Sequence, residues 1–317
     1  MKSKKPPSSI ATTVHSRRAF VSVLGKAAAG LALASGPFIS VGRNRSSLSI
    51  LYTNDWHSRI EPFPMDGGKY QGLGGASKRA ALIAKIRTEQ KHVLLLDSGD
   101  VFQGTPYFNV FGGELEFKLM SEMGYDAITL GNHDFDAGLD GLAKQLPHAR
   151  FSILSSNYNF SQTILKNKCQ PSQVFNKGST RIGVIGCGIE LKNLVPDHLF
   201  GNTIYTDPIS AVNEQAKILK KKEGCDLVIV LSHLGYEYQS DKVSDIILAK
   251  NSSNIDLILG GHTHTFLNTP TNVINNEGGV VNISQTGWAG INLGKIDFEA
   301  DSYFEQKLSN STLLNIC

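Results

Sequence analysis

No two of the four cysteines, Cys169, Cys187, Cys225 and Cys317, stand in a C-x-x-C pair. That removes the sequence form of a zinc knuckle or a dithiol redox motif. Cys187 lies in the run RIGVIGCGI, which reads as a buried strand. Cys187 and Cys225 are expected to be buried free thiols. Beyond the first residues no apolar run reaches the roughly 20 residues that a membrane-spanning helix needs, so no stable span is expected. There is no internal repeat, low-complexity segment or Pro-rich linker, which argues for one folded domain rather than several. An excess of basic charge is also missing once the beginning of the chain is set apart. Six of the 31 basic residues, and none of the 28 acidic ones, fall within residues 1–34, which leaves the remainder near −3. Net charge therefore gives no case for nucleic-acid binding.

Residues 1–34 read as an export signal. A basic opening is followed by Ser16-Arg17-Arg18-Ala19-Phe20, a modestly apolar run, and Ala32-Leu33-Ala34 as a cleavage site. Paired arginines before a weak apolar stretch are the pattern of a twin-arginine signal. The expected location is periplasmic or otherwise exported by that route. An uncleaved anchor or a basic tail is the competing reading. A short linker, 35–47, would lead into the folded part, 48–317.

From there, apolar runs alternate with helix-like segments. The runs are 47–53, 92–98, 126–132, 150–156, 181–187, 226–232, 256–261 and 280–284. They are rich in Val, Ile and Leu and mostly continuous, as strands covered on one or both faces are. Helices are expected at 76–90, 114–124, 208–223 (with Pro208 in the first turn) and 241–250. The alternation predicts α/β layers. The tail from Asn292 reads as a closing hairpin around an Asp301-Ser302 turn.

Polar residues gather just after these strands: Asp55 and His57 in ILYTNDWHS, Asp100 in LLLDSGD, Asn132, His133, Asp134 and Asp136 in ITLGNHDFD, His233 in VLSHLG, and His262 and His264 in LILGGHTHT. Ligands of open α/β sheets sit at the carboxyl ends of strands. Residues two apart on an extended segment point the same way, so Asp55 with His57, and His262 with His264, can each turn toward a shared centre. Carboxylate, imidazole and amide oxygen together suit Mn, Fe, Zn or a similar divalent ion, and two neighbouring ions need a bridging aspartate. A lone histidine after a strand is more often an ordinary loop residue. Five of the nine histidines, however, occupy these strand ends, while His15, His92, His148 and His198 do not.

In this order, D-x-H, G-D, G-N-H-D/E, a lone H and G-H-x-H resemble the calcineurin-like metallophosphoesterase superfamily. The longer stretches LYTNDWHSRI, SGDVFQGTPYFN, MGYDAITLGNHDFDAG, VIVLSHLGYEY and ILGGHTHT are similar to the catalytic domain of bacterial 5′-nucleotidases and UDP-sugar hydrolases, from about Leu48 to about Phe298. The resemblance implies a four-layer α-β-β-α sandwich of two mixed sheets. It assigns Asp55, His57, Asp100 and His264 to a first divalent metal and Asn132, His233 and His262 to a second, with Asp100 bridging. His133 would be a catalytic histidine that binds no metal, oriented by Asp136.

The activity implied is hydrolysis of nucleoside 5′-phosphates by in-line attack of a metal-bound hydroxide, with two metals clamping the phosphoryl group. Alternatives are a 2′,3′-cyclic nucleotide, nucleotide-sugar or thiosulfo ester as substrate. Asp134 stands where many relatives have Glu, and Tyr52 where His is common; neither is expected to ligate metal. Longer relatives carry a second domain that grips the nucleoside, and the chain ends at Cys317. A separate nucleotide-binding partner chain, or another phosphoester substrate, is the expectation that follows.

Overall fold

The apolar runs, 280–284 with its exposed Val280 excepted, split their side chains between two buried faces with a period of two. In the strand Leu48–Thr53, Leu48, Ile50 and Tyr52 face one core and Leu51 another. In Leu227–His233, Leu227, Ile229 and Leu231 join the former core and Val228 and Val230 a third. A strand with two buried faces has no polar side to write into its sequence, which is why these runs are continuous.

The computed structural model describes residues 48–300 and 306–317. The expected signal and linker and the expected Asp301-Ser302 turn lie outside these residues. The strands are β1 (Leu48–Thr53), β2 (His92–Asp97), β3 (Ala127–Thr129), β4 (Ser152–Leu154), β5 (Tyr158–Asn159), β6 (Ser172–Lys177), β7 (Thr180–Gly188), β8 (Ile204–Tyr205), β9 (Leu227–His233), β10 (Leu257–Gly260), β11 (Thr271–Ile274), β12 (Val280–Ser284), β13 (Asn292–Ala300) and β14 (Gln306–Asn315). One six-stranded sheet has the order β14-β13-β1-β2-β3-β4 and the other β11-β12-β10-β9-β7-β6. In the first, β1 through β4 run parallel and β13 and β14 add antiparallel. In the second, β7, β9, β10 and β12 run parallel, with β6 and β11 as antiparallel edges.

The sheets share a core of Leu, Ile, Val, Tyr and Phe from both, including Ile50, Leu94, Val184, Ile229 and Leu259. Helices cover each outer face. Ala76–Glu89 presents Ala76, Arg79, Ile83 and Ile86 to one, at the spacing of a single helical stripe. Pro208–Lys221 presents Val212, Ala216 and Leu219 to the other. The Asp207 carboxylate caps that helix by accepting from Ser210 N at 2.8 Å. The result is the four-layer α-β-β-α arrangement.

Element ends differ from expectation where local geometry intervenes. The helix expected at 241–250 begins at Asp245, because Ser244 takes the cap position and accepts from Ile247 N. β3 is only three residues long because Leu130 and Gly131 leave the ladder to carry Asn132 forward. Strands β6 and β11 and the helices Pro106–Phe111 and Gly138–Gln145 were not legible as elements. β6 is a partly exposed edge, and GLDGLAKQ carries two glycines. Cys187 and Cys225 are buried and unpaired, as expected. Among the described residues no helix is long and apolar enough to cross a membrane.

Candidate metal centre

The carboxyl ends of β1, β2, β3, β9 and β10 converge, and backbone hydrogen bonds lash their loops together. Asp55 N donates to Gly99 O at 2.9 Å and His57 N to Asp100 O at 3.0 Å. The sheets are tied across the same edge, where Ser98 Oγ donates to Leu259 O at 2.7 Å. The loops are not extended. Asp55, His57, Asp100, His262 and His264 have φ of 51°, 51°, 54°, 72° and 52°. A left-handed backbone costs a non-glycine residue on the order of 1 kcal/mol or more, and persists where surrounding structure over-determines it. The extended backbone expected at these pairs therefore does not hold. Sharp left-handed turns aim these residues instead.

Two groups of donor atoms result. Asp55, His57 and His264 form one, and Asp100, His233 and His262 the other. In the first, His57 Nε2 lies 3.0 Å from His264 Nε2, and His264 Nε2 lies 3.4 Å from Asp55 Oδ1. In the second, His233 Nε2 lies 3.1 Å from Asp100 Oδ2. Asp100 Oδ2 is also 3.9 Å from His57 Nε2, which places this carboxylate between the groups. Asp55 and His57 thus turn to one place, whereas His262 and His264 part company.

Several atoms here lack the partner that burial demands. His233 is fully buried, and its Nδ1–H donates to Ser98 O at 2.6 Å, which fixes the tautomer that leaves a lone pair on Nε2. That Nε2 makes no hydrogen bond, and neither does the buried Asn132 Oδ1. Two orphaned donors of electron pairs beside two carboxylates fit a cation.

Electrostatics point the same way. Burial tends to lower the His233 pKa, but the Asp100 carboxylate outweighs it and the imidazole is pushed up to about 10. Burial works to raise the Asp100 carboxyl, yet the His233 charge beside it holds the group well below the usual carboxylate range. A proton or a divalent cation taken up by that Nε2 lone pair would each supply the positive charge these carboxylates call for. His57 and His262 are held low, chiefly by burial, His262 at about 4, which favours the neutral imidazole at both.

His133 belongs to neither group. Its Nδ1 is 2.8 Å from Asp136 Oδ2, and its backbone N donates to Asp100 Oδ1 at 2.8 Å. The Asp136 hydrogen bond raises the imidazole pKa against the pull of burial. Asp134 is fully buried and accepts from Gly131 N, Asp100 N, Val101 N and Phe102 N at 2.8 to 3.2 Å, clamping the loops after β2 and β3. As expected, it does not point into the donor groups.

Gly131 is where these loops come closest. A Cβ there would lie 2.2 Å from Asp100 Oδ1 and 2.6 Å from Asp100 N. Gly131→Ala is expected to destabilise the fold by about 1–3 kcal/mol through overpacking and to lower metal content. Thermal unfolding with metal analysis checks this; an unchanged melting temperature and metal load would contradict it.

Sequence reasoning missed the residues that finish the cavity beside these groups. Arg59, Gln103 and Trp288 line it with His57, His133 and His264, enclosing about 250 Å³. Trp288 stacks on the His264 ring at 5.4 Å and 4°. It follows the end of β12, a further parallel strand, so the strand-end rule that found the others would have found it too. Arg59 lies two residues beyond His57 and carried no separate signal.

Comparison with known proteins bears on this arrangement. Residues 48–266 match the family described as calcineurin-like phosphoesterase. The chain is 38% identical over 242 residues to the snake venom 5′-nucleotidase of Crotalus adamanteus, covering 73% of this chain and 39% of that protein. It is 31% identical over 313 residues to the 5′-nucleotidase of Homo sapiens, covering 92% of this chain and 53% of that one. The crystal structure of a 5′-nucleotidase precursor from Thermus thermophilus superposes with a TM-score of 0.75 at 32% identity, covering 85% of this chain and 54% of that one. The chain thus spans between 39% and 53% of the length of these relatives by sequence. The matched segment contains the ends of β1, β2, β3, β9 and β10 together, so the convergent strand ends and the family match fall on the same residues: the chain belongs to the calcineurin-like phosphoesterase family.

Proposed function

We propose that this chain hydrolyses phosphoric monoesters in a metal-dependent reaction, with nucleoside 5′-phosphates as the substrate class. One observation carries the reading. Two convergent donor groups meet at Asp100, and a hydrogen-bonded His133–Asp136 pair stands outside both. The relatives named 5′-nucleotidase support the choice of substrate class.

In this reading Asp55, His57, Asp100 and His264 would hold one divalent ion, and Asp100, Asn132, His233 and His262 would hold the other. The ions would supply charge to offset that of the phosphoryl group and the acidity that makes water nucleophilic near neutral pH. The remaining chemistry belongs to the chain. Asn132 contributes a neutral amide oxygen, which limits negative charge facing an anionic ester. The Asp136 carboxylate holds the Nδ1–H of His133, so Nε2 is the atom that stores and delivers a proton. As water attacks phosphorus the ester P–O bond breaks, and the departing oxygen takes the His133 proton. The products are an alcohol and phosphate.

The test is phosphate release from a panel of nucleoside monophosphates and simple phosphoesters, by protein stripped with a chelator and then reloaded with Mn or Zn. Stripped protein is expected to fall to background and reloaded protein to recover. Silence across the whole panel at verified metal content would sink the reading.

A further inference from the structure

The cavity beside the donor groups has a one-sided charge. Its lining includes the histidines His57, His133 and His264, the neutral Gln103 and the cation Arg59, and no carboxylate. Other cavities of the described surface carry carboxylates: one has Glu190 and Asp197 with Lys192, another Glu61 with Lys78, and a third Asp140. A permanently charged guanidinium without an acid on the same wall makes this cavity a place for an anion.

Arg59 is also unspent. Its guanidinium forms no hydrogen bond or ion pair with a described residue. It lies over the Phe63 ring with Cζ 4.4 Å from the centroid. That ring is steadied by Tyr70 at 5.6 Å and Trp288 at 5.9 Å. The backbone beneath it is pinned as well. Arg59 N donates to Trp56 O at 3.1 Å, and the indole Nε1–H of buried Trp56 donates to Arg59 O at 2.7 Å. Stacking on an aromatic face holds the planar fork in place while leaving its N–H edges free, so less freedom is lost when an oxyanion arrives.

We propose that Arg59 is a binding residue for the phosphoryl group: its guanidinium, held on Phe63, takes the non-bridging oxygens of the ester and of the product phosphate from the side of the cavity away from the donor groups. The proposal rests on reading this cavity as a phosphoester site. It adds a contact from within residues 48–317 that needs no second domain. A fork contact to an oxyanion is charge-assisted and bidentate, the strong class of hydrogen bond.

The experiment measures binding of inorganic phosphate by calorimetry to metal-loaded wild type, Arg59→Gln and Arg59→Lys, with metal content determined for each. Arg59→Gln is expected to weaken phosphate binding about 10- to 100-fold at unchanged metal content. Arg59→Lys, which keeps the charge but loses the fork, is expected to fall between. In turnover of a simple phosphoester the same variants raise KM and the inhibition constant for phosphate together. Equal phosphate affinity in Arg59→Gln and wild type would overturn the assignment. So would a loss of metal in step with affinity, since the arginine would then support the His57 loop rather than the anion. Absence of phosphate binding by wild type overturns it too, and hydrolysis of the panel would still leave the functional reading standing. Arginine-dependent phosphate binding without any turnover upholds Arg59 and overturns the functional reading.

Discussion

Asp100→Asn is expected to deplete metal from both donor groups at once and to lower kcat/KM by at least about a thousandfold, or roughly 4 kcal/mol at 1.36 kcal/mol per tenfold. The substitution is nearly isosteric and leaves an oxygen for the hydrogen bond from His133 N. It puts an amide nitrogen, or a neutral oxygen, where Oδ2 now lies 3.1 Å from His233 Nε2 and 3.9 Å from His57 Nε2. Half the carboxylate charge of the Asp55–Asp100 pair goes with it. His233 loses the neighbouring charge that pushes its pKa up. Metal analysis beside steady-state kinetics is the measurement. Retention of a full metal load would show that Asp100 is not shared between the groups.

His133→Ala is expected to do the opposite to the metals and nearly as much to the rate. The imidazole lies outside both donor groups, so metal content should hold, while kcat falls about 10²- to 10⁴-fold with loss of a proton donor. Asp136→Asn should fall between, since it removes the carboxylate that orients Nδ1–H but not the imidazole. The deficit should shrink for an ester whose leaving group needs no proton, such as a nitrophenyl phosphate, because only protonation of the departing oxygen has been lost. Metal loss in parallel with rate would assign His133 to the metal cage. An equal deficit for good and poor leaving groups would remove its role as acid.

Much of this was legible because the signals are local. A strand buried on both faces is written as a continuous apolar run, and β1, β2, β7, β9 and β10 are all legible that way. The polar residue after such a run is equally local. Asp55, His57, Asp100, Asn132, His133, His233, His262 and His264 are each legible in the sequence as strand-end residues. Elements without such a signal escaped. β6 and β11 are partly exposed edges with mixed sequences, and Pro106–Phe111 buries no residue.

What the residues determined alone is therefore an α/β chain with carboxylates, imidazoles and an amide at successive strand ends, a set of ligand types that tolerates few other readings. Its charge balance and lack of paired cysteines narrowed the rest. Tertiary structure decided how those side chains are shared out. His262 and His264 turn to different groups although one residue separates them, a division that the family resemblance implies but that spacing along an extended segment does not. It also decided that Asp134 clamps two loops and that Gly131 has no room for a side chain. Arg59, Gln103 and Trp288 close a cavity with three of the histidines for the same reason: they come from separate strand ends, and only the packing of two sheets on one core brings those ends within reach of each other.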